Sequence, residues 1–219
     1  MLIDLSHTIR PGAGNRKFVL ETVGADQVNP NVLRRENEWY VMHNISMVNH
    51  LGTHIESPYH LYRDGADLSA IPLETLCGEA ILLDLSGRPP RSEIGLDDVV
   101  RAAAESGGVK KGDIVFCDLG LAGLYGTPAY GENPYFATAA LDWLAGEGMK
   151  LMGVDAGGVE VPGSPEHVNH RALLGRGIPL IENLANLEAL TSRRFRVWAF
   201  PIAVAGVDSF PVRVVADCS

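Results

Sequence analysis

Residues 50 to 60 read HLGTHIESPYH, and within those eleven positions His50, His54, Glu56 and His60 supply three imidazoles and a carboxylate. These are the donor types that bind zinc, manganese or iron. A packed core gains nothing from so many titratable groups around Gly52, Thr53 and Pro58, so the cluster points to a site. His50 and His54 are spaced to share a helix face, but Gly52, β-branched Thr53 and Ile55, and Pro58 all oppose a helix. Leu51 stands where the zinc proteases with H-E-x-x-H carry their glutamate. A strand or tight turn fits better. On a strand His54 and Glu56 project from one face, and a Gly52-Thr53 turn can bring His50 to the same point. His60, beyond Pro58, is placed to face a metal without binding it.

The segments that must position this cluster read as follows. Residues 10–38 are polar and rich in Pro, Gly and Asn, with a charged Arg34-Arg35-Glu36 run. They are expected to form a solvated loop, or an arm or lid over a pocket. Residues 39–48 alternate and are rich in β-formers, which predicts a strand feeding the motif. Farther on the pattern turns to α/β. Strands are predicted at 80–85, 113–119, 150–155, 180–182, 195–201 and 212–216. Helices are predicted at 96–105, 136–147 and 166–174, each ended by glycine. The run Ile114-Val115-Phe116 predicts a strand buried on both faces. The expected fold class is α/β, a mixed β core flanked by helices, with residues 1–219 forming one domain.

Composition narrows the function. The net charge of −9 speaks against a nucleic-acid partner. No apolar run approaches the roughly 18 residues of a membrane span. The opening MLIDLSHTIRPG has no basic segment followed by an apolar one, so a cytoplasmic location is expected. Cys77, Cys117 and Cys218 form no CxxC pair and no disulfide framework, in keeping with a reducing compartment.

HLGTHIESPYH resembles the HxGTHxDxPxH signature of the cyclase-like metal hydrolases, a family that includes bacterial kynurenine formamidase and isatin hydrolase. The likeness runs along nearly the whole chain. It takes in Asp4-Leu5-Ser6-His7, Gly153-Val154-Asp155, the stretch from His170 to Leu174, Ile181-Glu182-Asn183-Leu184, and 206–216. The resemblance implies a swivelling β/β/α fold and a divalent metal cofactor, zinc or manganese. It implies that His50 and His54 bind one metal, that residue 56 bridges two in dinuclear members, that His170 and Glu182 complete a second position, and that His60 is general acid or base. It also implies a homodimer or higher homo-oligomer. Two departures bear on this. The family usually has Asp at 56 where this chain has Glu56, which leaves one ion or two per chain open; fewer than two tightly held ions are expected. The Ser or Thr that often follows the Gly-x-Asp strand is replaced by Ala156, Gly157 and Gly158.

The expected activity is metal-dependent hydrolysis of an amide, lactam or ester bond in a small organic substrate, aryl compounds included, by metal-bound hydroxide. Two other classes stay open: a non-catalytic metal- or metabolite-binding protein on the same fold, and a metal-dependent cyclase or lyase. Trp39 and Tyr62 flank the motif and are the candidate walls for an aromatic substrate, although either can serve as a packing residue. His7 is expected in the core or a pocket wall, and His167 at the surface. Asp155 is expected either at a strand-end site or as a turn cap. Gly157-Gly158 is no nucleotide fingerprint, and no phosphate-binding loop is present.

Overall fold

The computed structural model describes residues 1–12 and 16–219. Its centre is a nine-stranded sheet. In chain order the strands are β1 (Leu2–Asp4), β2 (Phe18–Gly24), β3 (Val41–Met47), β4 (His54–Glu56), β5 (Cys77–Asp84), β6 (Glu93–Ile94), β7 (Ile114–Asp118), β8 (Tyr135–Phe136), β9 (Leu151–Val154), β10 (Leu180–Glu182), β11 (Arg194–Trp198), β12 (Ser209–Pro211) and β13 (Val215–Asp217). The helices are α1 (Ala25–Val28), α2 (Leu96–Glu105), α3 (Thr138–Gly146) and α4 (Val168–Leu174). The spatial order of the large sheet is β1-β13-β11-β5-β7-β9-β10-β4-β12. Strands β5, β7, β9 and β10 run parallel, and the flanking strands pair antiparallel. This is the mixed β core with flanking helices that the pattern of elements predicts.

The central strands are apolar throughout because each of their faces covers a different core. Ile81, Leu83, Val115, Cys117, Met152 and Val154 face a core completed by Val99 and Ala102 of α2, Leu141 and Leu144 of α3, and Leu173 of α4. Their neighbours Ala80, Leu82, Ile114, Phe116 and Leu151 face a second core with Ile55, Ile181, Phe195 and Val197. The sheet curls around that second core. Beyond β1 the chain reaches across to the far side, where Ser6 bridges Leu184 and Ala185 N–H donates to the Leu5 carbonyl. The curl is tight at β9: a Cβ on Gly153 would lie 2.7 Å from Phe116 Cδ1.

The segment before the motif differs from expectation. Phe18–Gly24 is a strand, and it pairs antiparallel with β3 along its whole length in a separate two-stranded ribbon. Most of its residues are exposed. Phe18, Val19, Leu20 and Val23 lie in a segment whose composition is otherwise polar, so composition alone does not reveal the strand. Residues 13–15, part of the expected loop, lie outside the described residues. Strand β12 also departs from the expected pattern, which began the closing strand only at 212. Among the described residues no helix is long and apolar enough to cross a membrane.

Candidate metal centre

Strand β4 carries the centre of the motif, and its alternation sorts the side chains. Ile55 points into the curled core while His54 and Glu56 project from the opposite face, the one the helices cover. Strand β10 pairs with β4 in the register Glu182↔His54. Ile181 joins Ile55 in the curled core, so Glu182 emerges beside His54. Helix α4 lies over this face. Leu173 anchors it in the helix-side core, and His170, one turn earlier, meets the strand residues. His50 reaches the same point through a turn at Gly52, whose φ of +62° suits glycine. His60 ends a short 3-10 turn that opens at Pro58.

The geometry gathers His50, His54, Glu56, His170 and Glu182, the five residues the motif and the resemblance single out, with Glu56 at the centre. Glu56 Oε1 lies 2.8 Å from His50 Nδ1 and 3.6 Å from His54 Nε2. Its Oε2 lies 3.3 Å from His170 Nε2. Glu182 Oε1 is 3.5 Å from His170 Nε2, and its Oε2 is 3.4 Å from His54 Nε2. Two donor sets result, His50–His54–Glu56 and Glu56–His170–Glu182, each with its ligand atoms within 4.8 Å of one another.

The ring orientations are held from behind. His54 Nδ1–H donates to the Gly52 carbonyl at 2.8 Å, which leaves Nε2 as the lone-pair nitrogen facing the carboxylates. Glu160 accepts from His170 Nδ1 and from the backbone N–H groups of Asn169 and His170, so it caps α4 and aims His170 Nε2 at Glu56. Asp208 Oδ2 accepts from both His50 Nε2 and His60 Nδ1. Asn183 Nδ2 donates to the Gly52 carbonyl, and Tyr130 OH donates to Asn183 Oδ1, bracing the turn.

Charge is concentrated here. Burial pulls the His170 imidazole down, but Glu160, Glu182 and Glu56 overrule it and raise the group to about 11. Burial likewise lowers His50, and Glu56 and Asp208 outweigh it to leave a net rise. Burial pushes Glu56 up, whereas the three imidazoles around it hold it well below the usual carboxylate range. For Asp208, burial raises the carboxyl, and His60, His50 and Asn49 bring it down to about 2.

The donor set fits a divalent cation. His54 Nε2 and Glu56 Oε2 are buried and have no hydrogen-bond partner among the described residues, although both sit in the middle of the cluster. Buried polar atoms without partners are costly, and a metal bound between them satisfies both. Mixed imidazole and carboxylate donors suit zinc or manganese.

The remaining candidate residues are placed as follows. Trp39 precedes β3 and is 81% exposed. Tyr62 lies with Leu61, Arg63, Leu174 and Gly175 along a surface groove to which none of the five donors contributes. Beside the motif turn His7 stacks on Tyr125, with centroids 4.0 Å apart and Tyr130 edge-on beyond. His7 N–H donates to Thr53 Oγ1. His167 is exposed, and its ring lies edge-on to His170. Asp155 is a turn cap: its carboxylate accepts the N–H groups of Leu119, Leu121 and Ala122. Asp208 and Glu160 carry no signal in the sequence, because single acidic residues far from the motif look like any other surface charge. Asp208 falls within the resemblance at 206–216, but without a role.

Comparison with known proteins gives a consistent picture. The model of the Cyclase family matches residues 3–161. A kynurenine formamidase from Erythrobacter litoralis is 27% identical over 97% of this chain and 91% of its own. Isatin hydrolase A from Labrenzia aggregata superposes with a TM-score of 0.85 at 22% identity, over 99% of this chain and 93% of that one. A protein described as a predicted metal-dependent hydrolase from Bacillus stearothermophilus has a TM-score of 0.78 at 24% identity, over 100% and 98%.

Proposed function

Because the chain belongs to the Cyclase family, we propose that it is a divalent-metal-dependent hydrolase of a small organic substrate, acting on the C–N bond of an amide or cyclic amide, aryl compounds included. The formamidase and isatin hydrolase likenesses support the bond type. The observation that carries the reading is the pair of partnerless buried atoms, His54 Nε2 and Glu56 Oε2, inside a ring of imidazoles and carboxylates.

A bound ion would supply water acidified towards neutrality and would polarise a carbonyl oxygen. We assign it zinc or manganese, one or two per chain. The chain's own residues do the rest. His50, His54, Glu56, His170 and Glu182 would hold the ion and offset its charge. His60 donates its Nδ1–H to Asp208, so Nε2 is the ring nitrogen free to carry a proton to the departing amine.

The test is a panel of aryl formamides, isatin and aryl esters, assayed with added Zn²⁺ or Mn²⁺ and after chelation. Chelator-sensitive amide hydrolysis that is lost in His54→Ala supports the reading. Tight metal binding without turnover on any member would instead make the chain a binding protein.

A further inference from the structure

One carboxylate joins the metal donors to the proton carrier. Asp208 Oδ2 lies 2.8 Å from His50 Nε2 and 2.7 Å from His60 Nδ1. Its Oδ1 accepts from Asn49 Nδ2 at 2.6 Å. Main-chain pairing holds it there: Ser209 is the register partner of Glu56, and Ser57 N–H donates to the Asp208 carbonyl at 2.8 Å. The two rings it touches are themselves close, with centroids 4.7 Å apart.

Each contact decides which nitrogen its ring offers. His50 has Nδ1 towards Glu56 and Nε2 towards Asp208. A ligand imidazole must present a lone pair to the ion, and the proton on its other nitrogen needs an acceptor. With Nε2–H given to Asp208, Nδ1 is the lone-pair atom on the Glu56 side. For His60 the same carboxylate takes Nδ1–H and leaves Nε2 as the proton-transfer atom. Asn49 neutralises neither ring; it occupies the second oxygen and keeps the carboxylate from rotating away.

We propose that Asp208 is a positioning residue that fixes the tautomer of a metal ligand, His50, and of the proton carrier, His60, through a single oxygen. The His60 half rests on the hydrolase reading above; the His50 half needs only that a metal binds. His50, His60 and Asp208 also bring their donor atoms within 4.8 Å of one another; on this account the carboxylate orients the two imidazoles and is not itself a metal ligand.

The experiment compares wild type, Asp208→Asn, Asp208→Glu and Asn49→Ser. Zn²⁺ affinity is read by chelator competition, ion stoichiometry by elemental analysis, and ring tautomers by ¹⁵N NMR of labelled histidine. Asp208→Asn is expected to keep the stoichiometry, to weaken Zn²⁺ binding roughly 10- to 100-fold, and to turn the His60 signal from a single Nδ1–H tautomer into a mixture. Asn49→Ser should shift both in the same direction by less, and Asp208→Glu should restore part of the loss. Asn49→Ser leaves the carboxylate in place and so reads the effect even if Asp208→Asn folds poorly.

In turnover, Asp208→Asn should lower kcat with little change in KM, and should cost little more once His60→Ala is present. Loss of an ion from Asp208→Asn would make Asp208 a ligand and overturn the proposal. Unchanged affinity and tautomers would make it merely structural. Absence of turnover in wild type would sink the hydrolase reading but leave the affinity and NMR arms decisive. Absence of any bound metal would sink both.

Discussion

Glu182 and His54 stand directly opposite each other on β10 and β4, and their side chains meet at 3.4 Å. Two strands from different thirds of the chain are thereby clamped through one ligand pair. The clamp ties the metal site to the register of the sheet: a slip of β4 by one residue would turn His54 and Glu56 into the curled core and Ile55 out of it.

Glu56 offers one oxygen to each donor set, so both sets depend on one carboxylate. One ion held tightly and a second held more weakly are expected in the wild type. Glu56→Gln keeps the shape but replaces one oxygen with an amide nitrogen that cannot ligate, and should retain at most one ion. Metal titration with anomalous scattering from crystals checks this; two ions bound equally tightly in Glu56→Gln would contradict it.

His60 lies near the donors but belongs to neither of the two sets that share Glu56. His60→Ala is expected to keep its metal and to lose roughly 10²-fold or more in turnover, as for removal of a general acid–base group. Loss of metal together with activity would make His60 a ligand. Near-normal turnover would leave it a structural role only.

Gly52 sets the turn that brings His50 to His54. Its φ is +62°, and a Cβ there would lie 2.6 Å from Ile9 Cγ1. Gly52→Ala should cost about 1–3 kcal/mol through left-handed strain and overpacking. Its carbonyl accepts from His54 and Asn183, so Zn²⁺ affinity should fall too. Thermal melts with and without Zn²⁺ read both effects. A variant with unaltered melting in each condition would show that the turn tolerates a side chain.

Asp155 gives a pH-dependent prediction. Burial raises its carboxyl to about 6 despite three N–H donors. With the folded value above the unfolded one, the folded chain keeps a proton that the unfolded chain has released. The resulting stability is present below pH ~4 and is lost as the pH rises through about 6. Asp155→Asn removes that titration and leaves a backbone N–H without its acceptor, a cost of about 1–3 kcal/mol. Urea midpoints should show a penalty that is larger at pH 4 than at pH 7, narrowing by up to about 3 kcal/mol. A penalty constant across that range would overturn the assignment.

Much of the framework was legible because it is encoded locally. Gly107-Gly108 after an apolar helical stretch marks the end of α2, which spans Leu96–Glu105 as the pattern predicts. The apolar run Ile114-Val115-Phe116 of β7 announced a strand covered on both faces, and β5 and β9 were legible as strands. The alternation His54-Ile55-Glu56 announced which side chains share a face, because a strand's period of two needs no tertiary information. The ribbon strand Phe18–Gly24 was not legible, since its partner supplies the hydrogen bonds and no core imposes a pattern on it.

The residues around the metal donors divide along the same line. His50, His54, Glu56 and His60 stand together in the sequence, and their donor chemistry marks a site wherever the chain folds. His170 and Glu182 were drawn in by resemblance alone, and their contact with Glu56 exists only because β10 pairs with β4 and α4 packs over that face. Asp208 and Glu160 had no separate role before folding. A carboxylate orients an imidazole only within hydrogen-bond reach, and β12 against β4, together with the start of α4, is what creates that reach across segments with no local relation to the motif.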